Sequence, residues 1–297
     1  MSCKQLTDDE KSMVIEIANS PEYRDLPPSQ IVPRLADKGI YLASESSFHR
    51  ILKKAELSTF RLNSRPRSHA RPVAISALSP NQIWSWDISY LKSPIRGQYY
   101  FLYMIMDVFS RMVVGWEIYH CESAEYSSVL IADATRRHKI GRDQLTLHSD
   151  NGGPMKGATM LATLQKLGVV PSFSRPKVSD DNPFSESLFK TLKYRPSFPN
   201  GAFANIEEAR SWVGRFVTWY NCEHRHSEIN FVTPLSKHLG DDFEVLQRRA
   251  GIYEAARTKN PQRWSAQTRN WDQVKEVHLN PTKEMRETKK NLMNSAA

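Results

Sequence analysis

Three acidic residues stand at positions where a carboxylate needs a special reason: Asp87, Asp150 and Glu186. Asp87 lies inside residues 83–91 (IWSWDISYL), whose aromatic and β-branched side chains predict a strand. A strand this aromatic is expected at the centre of a sheet, where a charge is costly unless it is matched. Asp150 ends a second predicted strand, residues 144–149. The two glycines that follow permit backbone conformations closed to other residues and a close approach of substrate.

Glu186 belongs to a helix predicted over residues 183–194. Asn182 suits the N-cap of this helix, and the proline after it suits the first helical position. Glu186 then ends the first turn, near the positive end of the helix dipole. Positions 151–185, which are 35 residues, separate it from Asp150. A strand, a strand end and a helix start can meet at one edge of a sheet, so the three acids can converge.

Three converging carboxylates offer hard oxygen ligands, which suit Mg²⁺ or Mn²⁺. Phosphodiester chemistry uses two such ions about 3.5–4 Å apart, one for the attacking hydroxyl or water and one for the leaving 3′ oxygen. We assign the bridging role to Asp87, because a strand holds it most rigidly. Taken singly, each acid has another explanation: a strand aspartate can be a local hydrogen-bond partner, and a first-turn glutamate a dipole partner.

The pattern from residue 82 onward predicts the sheet that these acids need. Strands are expected over residues 83–91, 99–108, 112–119, 144–149 and 169–174, and helices over 123–139, 154–167 and 183–194. The first three strands form an antiparallel meander. The order β-β-β-α-β-α-β-α predicts an α/β fold, a five-stranded mixed sheet flanked by helices, over residues 82–240.

Residues 1–61 predict a helical domain instead. Thr7 and Glu10 have capping-box spacing, and Ser29 and Ser44 can cap a second and a third helix. A short turn between these two helices is typical of a helix-turn-helix. The outward face of the third helix, which can enter a major groove, carries Ser46, Ser47, His49, Arg50 and Lys53. A plain helical bundle with a polar face is the alternative.

The charge distribution indicates a polyanionic partner. The chain of 297 residues has net charge +9, of which residues 1–71 carry +3, residues 72–247 zero and residues 248–297 +6. We interpret these as two flanks that grip DNA, with solvated basic tails as the alternative. Residues 62–81 form a basic, proline-containing linker, and its Arg65 and Arg67 can lie along a phosphate backbone. Residues 241–297 form a basic C-terminal segment, either a DNA-stacking surface with tryptophans or a partly disordered tail.

The composition excludes several other classes of protein. No apolar run reaches the ~20 residues of a membrane span, and the N-terminus lacks the apolar stretch of a signal peptide. We therefore expect a cytoplasmic protein without a membrane partner, located on the nucleoid when bound to DNA. The three cysteines are scattered, which argues against a disulfide framework and a cysteine zinc site. No GxxxxGK[ST] motif for a nucleotide is present.

Five sequence segments carry a family resemblance: WSWDISYL, FLYMIMDVFSRMVVGW, HSDNGGP, SRPKVSDDNPFSESLFKTLK and WYNCEHRHSEINFVTP. In order, wording and spacing they resemble the DDE transposases of the retroviral integrase superfamily, within it the catalytic proteins of insertion-sequence-three-type elements. The resemblance covers roughly residues 30–280. It implies an RNase H-like core with Asp87, Asp150 and Glu186 as the metal-binding triad. It also implies cutting and joining of DNA strands at the ends of a mobile element.

The resemblance extends to basic residues on the last core helix. The family has a basic residue seven positions after the glutamate, which here is Lys193, and Lys190 lies on the same helix face. We expect both lysines to hold DNA phosphates beside the metal site, with an ordinary Glu–Lys helix pair as the alternative. Asp107, in MDVFSR, is interpreted as structural. The order of residues after Tyr220-Asn221 departs from the family pattern, which leaves the DNA contacts there undetermined.

The resemblance further implies double-stranded DNA as partner, both element ends and target, and a homo-multimer on paired ends. It implies copy-out–paste-in movement and allows for an upstream-frame protein joined by frameshifting. Two rival functions stay open. A simple RNase H-like nuclease would cut without joining, and a non-catalytic DNA-binding regulator derived from a transposase would bind without cutting.

Overall fold

The computed structural model describes residues 6–24, 26–55, 57, 74–175, 181–264, 267–282, 284–285 and 287. The chain divides into two compact units, residues 1–68 and residues 69–297. Each unit has its own hydrophobic core. The linker residues Arg65 and Arg67 lie outside the described residues.

The described part of the first unit contains three helices, α1 (Asp8–Asn19), α2 (Pro28–Asp37) and α3 (Glu45–Lys54). The capping box at Thr7 is confirmed, since its side chain accepts from the Glu10 backbone N–H and the Glu10 carboxylate accepts from the Thr7 N–H. Ser44 caps α3 as expected. The expectation for Ser29 is wrong, because α2 already begins at Pro28 and has no side-chain cap.

The second unit is built on a five-stranded sheet in the order β4-β3-β2-β5-β6. Its strands are β2 (Ile83–Lys92), β3 (Tyr99–Asp107), β4 (Val113–Tyr119), β5 (Thr146–Ser149) and β6 (Val170–Phe173). The first three pair antiparallel, whereas β5 pairs parallel to β2 and β6 parallel to β5. The predicted mixed α/β sheet, with the aromatic strand at its centre, is confirmed.

Helices cover both faces of this sheet. They are α4 (Ala124–Arg137), α5 (Gly153–Lys156), α6 (Ala158–Leu167), α7 (Pro183–Lys193) and α8 (Ile206–Cys222). Trp84 and Trp86 share a core with α4 and α6, whereas Leu102 and Met104 share a core with α7 and α8. Alternation along β2 therefore sends its tryptophans to one face and Ser85 to the other.

The single helix predicted over residues 154–167 is wrong, because Gly157 separates α5 from α6 with ψ 143°. A Cβ at Gly157 would lie 2.5 Å from the Ala124 Cβ. The chain thus breaks where it passes very close to the start of α4.

Several further elements follow Cys222 in the part of the chain that the structure describes. After a short helical turn (Ser227–Ile229) come α9 (Pro234–Leu239) and α10 (Asp242–Lys259). Strand β7 (Val277–Leu279) pairs antiparallel with β1 (Ile75–Ala77). A strand inside the predicted linker thus pairs with one in the C-terminal segment. None of the helices among the described residues is long and apolar enough to cross a membrane.

Candidate active site

The parallel pairing of β2 and β5 determines where two of the acids lie. Trp84 pairs with Leu147 and Ser85 with His148. Continuing this register by two residues places Asp150, just after the end of β5, beside Asp87 in the middle of β2. Neighbouring strands are about 4.8 Å apart, so the two aspartates are close neighbours across the sheet.

Helix α7 brings the third acid to the same place, because its start is fastened to β2. The Ser85 hydroxyl donates to the Asn182 side-chain oxygen at 2.6 Å, and it lies 2.6 Å from the Ser185 hydroxyl. The Asn182 amide donates to the Trp86 carbonyl at 3.3 Å. Glu186 follows Ser185 directly and lies in the first turn of α7.

The prediction of Asn182 as the N-cap residue of α7 is confirmed. The residue occupies the N-cap position, but its side chain makes no cap hydrogen bond. The buried Asn182 side chain instead forms hydrogen bonds with Ser85 and the Trp86 carbonyl on β2. The amide therefore anchors the helix that carries Glu186, instead of capping it.

Burial and neighbouring carboxylates both affect the pKa of Asp87. Burial of the side chain is the largest influence and raises the pKa of Asp87 from 3.8 to about 7. A hydrogen bond from the Ile88 backbone N–H, at 2.8 Å, opposes this rise. The negative charges of Asp150, Glu186 and Glu122 add to it. The protein without cations therefore holds several carboxylates within electrostatic reach of one another.

This donor set fits a divalent hard cation. Within the described part of the chain, no three His, Cys, Asp or Glu side chains already form a closed metal-binding cluster. The acids nevertheless supply only oxygen ligands, which Mg²⁺ and Mn²⁺ prefer. Their mutual repulsion, visible at Asp87, is what a bound cation would relieve.

The two glycines after Asp150 lack the special backbone conformation that the sequence predicted, and close approach of substrate to them stays a prediction. Neither Gly152 nor Gly153 has a positive φ. A Cβ at Gly152 would lie 2.8 Å from the Met155 sulfur and 3.1 Å from an Asp150 carboxylate oxygen. The Gly152 N–H donates to that carboxylate at 2.9 Å. The missing side chain therefore leaves room for the Asp150 carboxylate against the backbone.

Buried polar groups below the site were not predicted from the sequence. His148 is fully buried, with Nδ1 3.0 Å from the Ser172 hydroxyl and Nε2 2.9 Å from the Asp181 carbonyl oxygen. The Arg175 guanidinium binds the Asp181 carboxylate at 2.9 and 3.0 Å. These bonds connect β5 and β6 with Asp181, in the segment that precedes α7. The histidine and arginine stand in quoted motifs, but only the fold shows what they hold.

A fourth acid, Glu122, also escaped the sequence analysis. It lies between β4 and α4 and accepts a 2.7 Å hydrogen bond from the Tyr90 hydroxyl. That bond is the main reason why the pKa of Tyr90 is raised to about 12. Glu122 stands between Asp87 and Asp150 in sequence but outside every quoted motif, so the motifs offered no signal for it.

Of the two lysines on α7, Lys193 lies within electrostatic reach of Asp87. Burial lowers the pKa of Lys193, and the Asp87 charge partly offsets this. Lys190 is exposed. Neither lysine forms an ion pair in the described part of the chain, so both are available to a polyanion.

Comparison of the sequence with known proteins identifies a family for the chain. The integrase core domain matches residues 77–179, and a second integrase core domain description matches residues 167–234. Together the matches span more than half of the chain. The chain belongs to the integrase core family. The resemblance to insertion-sequence transposases is also confirmed by the relatives that it matches.

Two curated relatives of this integrase core protein are insertion-sequence transposases. The transposase of IS904 from Lactococcus lactis is 29% identical over 181 residues, covering 58% of this chain and 68% of the relative. Transposase InsF of IS3A from Escherichia coli K12 is 30% identical over 176 residues, covering 57% of this chain and 60% of the relative. The chain thus aligns with about two thirds of these relatives' length.

A solved intasome of simian T-cell lymphotropic virus, in complex with a PP2A regulatory subunit, is similar at 18% identity. The structural match covers 70% of this chain and 70% of the chain in the intasome, with a TM-score of 0.47. Membership of the integrase core family rests on the sequence matches alone.

Asp107 of the integrase core protein lies at the end of β3. Asp107 is fully buried, and its carboxylate accepts from the Asn81 and Ser110 backbone N–H groups at 2.7 Å each. It also accepts from the Ser110 hydroxyl at 2.6 Å. Every recorded partner is a protein hydrogen-bond donor, which agrees with a structural role.

The predicted DNA-reading face lies on α3 of the first unit. Ser46, His49, Arg50 and Lys53 are exposed, whereas Ser47 is half-buried and takes part in the cap of α3 through Ser44. The Arg50 guanidinium folds back onto the Ser46 carbonyl and the Ser47 hydroxyl, at 3.3 Å each. DNA contact by this face stays a prediction.

Proposed function

We propose that this integrase core protein is a DNA transposase that cuts and joins strands at the ends of an insertion sequence. The observation that carries the proposal is the neighbourhood of Asp87. The charges of Asp150 and Glu186 both act on this carboxylate, in a chain of the integrase core family. We also propose copy-out–paste-in movement, which the resemblance to insertion-sequence-three-type elements implies.

Asp87, Asp150 and Glu186 are the proposed catalytic residues and metal ligands, for two Mg²⁺ or Mn²⁺ ions. Such ions, when bound, activate the attacking oxygen and stabilise the leaving 3′ oxygen. Asp87 and Asp150 supply carboxylates from neighbouring strands, and Glu186 supplies one from α7. The Ser85–Asn182–Ser185 hydrogen bonds keep α7 in position while DNA binds, which preserves the alignment of the three carboxylates.

Lys193 and Lys190 are proposed to hold phosphate oxygens next to the scissile bond. Lys190 lies four and Lys193 seven residues after Glu186, so both share one face of α7 with this acid. The outward face of α3, with the linker residues Arg65 and Arg67, is proposed to bind the element ends. Paired ends require a homo-multimer on double-stranded DNA, since one site cannot hold two ends at once.

The boundaries at residues 61, 81 and 240 also stand as proposals. They separate a helix-turn-helix domain, a linker, a catalytic domain and a C-terminal segment. A location in the cytoplasm follows from the proposed DNA substrate.

A cleavage and strand-transfer assay with Mg²⁺ and labelled insertion-sequence ends tests the proposed function. Wild-type chain is expected to give cut and joined products, and Asp150→Ala to give neither. Asp241→Ala, a change of the same kind at an exposed aspartate outside the site, is the matched control and should behave as wild type.

Three outcomes would contradict the proposal in different ways. Cutting without joined product would favour the simple nuclease. Binding of DNA without metal-dependent cutting by wild type would favour the regulator. Cutting by Asp150→Ala at the wild-type rate would refute the assignment of the site.

A further inference from the structure

A group of four arginines lies outside the candidate active site, on the C-terminal side of the second unit. They come from three separate segments: the turn after α8, helix α10 and the strand-free stretch before β7. We name this group the arginine cluster; its members are Arg225, Arg248, Arg249 and Arg269. Burial lowers the pKa of Arg249, and the positive charges of Arg225, Arg248 and Arg269 lower it further.

Arg249 is held at the base of the cluster by the protein itself. Its guanidinium donates to the carbonyl oxygens of Asn230 and Phe231, at 3.0 Å each. Asn230 and Phe231 have φ of 55° and 57°, a left-handed conformation that is unfavourable for two consecutive residues other than glycine. The chain thus maintains a strained turn whose carbonyls fix one guanidinium.

Aromatic rings determine the positions of two guanidinium groups. Arg269 lies over the Phe231 ring at 4.4 Å and over the Trp271 ring at 5.1 Å. Arg249 lies over the Trp271 ring at 5.3 Å. The Trp271 ring is therefore occupied by arginines and by Tyr253, whose ring centroid is 5.2 Å away. It is not free to stack on a nucleic-acid base.

The arginine cluster presents positive charge at the surface on its exposed side chains. Arg225, Arg248 and Arg269 are exposed, and none of the four arginines forms an ion pair within the described residues. Holding like charges together is unfavourable unless an anion joins them. Guanidinium groups fixed in orientation match the paired oxygens of a phosphate.

We propose that the arginine cluster is a phosphate-binding surface for the backbone of duplex DNA, distinct from the candidate active site. The proposal rests on the proposed function for its choice of DNA as the polyanion. The segment that carries most of the cluster also holds most of the excess positive charge of the chain, +6 over residues 248–297. The surface contacts DNA independently of base sequence, because phosphates carry no sequence information.

The salt dependence of DNA binding tests the proposal. The full chain is titrated with a fluorescent duplex of arbitrary sequence at increasing NaCl, and the slope of log K against log[salt] is measured. The double variant Arg225→Gln with Arg248→Gln removes two exposed charges of the cluster. Each phosphate contact contributes about 0.9 to the slope, so we expect the slope to become shallower by about two.

A matched control removes the same charge elsewhere in the C-terminal segment. Lys259→Gln with Arg263→Gln changes two exposed cationic residues that form no ion pair among the described residues and are not among the main charges acting on Arg249. The control should leave the slope within a few tenths of wild type, and Arg225→Lys with Arg248→Lys should retain most of it. Thermal melts should be unchanged for all three variants, because none of the altered side chains is buried.

Two results of the salt titration would overturn the proposal: an equal loss of salt slope in the cluster variant and the control, or no change of slope in the cluster variant. Competition gives a third, if polyglutamate displaces the DNA as effectively as unlabelled duplex does. The last result would indicate an acidic protein as the partner. The proposed function fails separately, since it depends on metal-dependent cutting and Asp150. A chain that binds duplex through the cluster but never cuts would retain this inference alone.

Discussion

At the scale of single residues, Asp87 shows how a candidate active site differs from the rest of the sheet. Its neighbours along β2 are aromatic or hydrogen-bonded, whereas its own carboxylate receives one recorded hydrogen bond, from the Ile88 N–H. Asp107, also in a strand, receives three. Two aspartates in adjacent strands thus differ: the protein supplies three hydrogen bonds to the Asp107 carboxylate and one to that of Asp87.

The raised pKa of Asp87 predicts a pH-dependent stability of the protein without metal. The unfolded chain releases the Asp87 proton near its ordinary pKa of 3.8, but the folded chain holds it up to about 7. Stability attributable to this residue is therefore complete below about 3.8 and is lost as pH rises through 7. One pKa unit corresponds to about 1.4 kcal/mol, so the loss reaches ~4 kcal/mol at most.

Asp87→Asn removes this titration and checks the prediction. With a chelator present, we expect the variant to unfold at a higher temperature than wild type above pH 7 and at nearly the same temperature near pH 4. Asp143→Asn, at an exposed position, serves as control and should follow wild type throughout. A variant that matches wild type at every pH would show that Asp87 is not desolvated as described.

At the scale of elements, close approaches determine where helices begin and break. Helix α7 is positioned through Ser85 on β2 and not by its own N-cap. The break between α5 and α6 exists because Gly157 touches the start of α4. Both features fix the helices that flank Asp150 and Glu186. The geometry of the candidate site therefore depends on contacts between elements more than on the helices themselves.

Gly157→Ala is expected to destabilise the second unit. The added Cβ would lie 2.5 Å from the Ala124 Cβ, so α4 and α6 must move apart. Overpacking of this kind costs about 1–3 kcal/mol. Gly153→Ala is a matched control four residues earlier, since its Cβ would meet nothing within 4 Å and its φ is not positive.

Urea unfolding followed by tryptophan fluorescence measures both glycine variants. We expect a lower unfolding midpoint for Gly157→Ala and an unchanged one for Gly153→Ala. Equal midpoints for the two variants would mean that the α4–α6 approach is not tight.

At the scale of the whole molecule, the second unit is closed by parts of the chain that are far apart in sequence. Strand β1 precedes the sheet and β7 comes some 200 residues later, yet the two pair over three residues. Leu279 and Val277 pack with Phe109 and Ile83 in a small core of their own. The C-terminal segment thus contributes to the fold that carries the candidate site.

Leu279→Ala tests this closure. The side chain is fully buried, and removing it from such a core costs about 2–5 kcal/mol. All seven tryptophans lie at or beyond residue 84, so their fluorescence reports the second unit alone. We expect the Leu279→Ala midpoint in urea to fall clearly, and that of Leu239→Ala, 64% exposed, to stay within error of wild type. Similar midpoints for both would separate the C-terminal segment from the stability of this unit.

Local pattern was sufficient for much of the fold. Alternation in IWSWDISYL predicted a central strand, the capping box at Thr7 predicted the start of α1, and the order of elements predicted the mixed sheet. The motifs also predicted the family. These features depend on residues close together in sequence, where periodicity and capping chemistry act directly.

By itself, then, the sequence determined the types of element, the family and which three acids to propose. Only the tertiary structure decided that the Asn182 side chain binds β2 and that the helix breaks at Gly157. It also decided that β1 pairs with β7, that Glu122 lies near Asp87 and that four arginines lie close together. The physical reason is that hydrogen-bond partners, close packing and charge neighbourhoods are set by distances in space. Residues far apart along the chain carry no local pattern that reveals them.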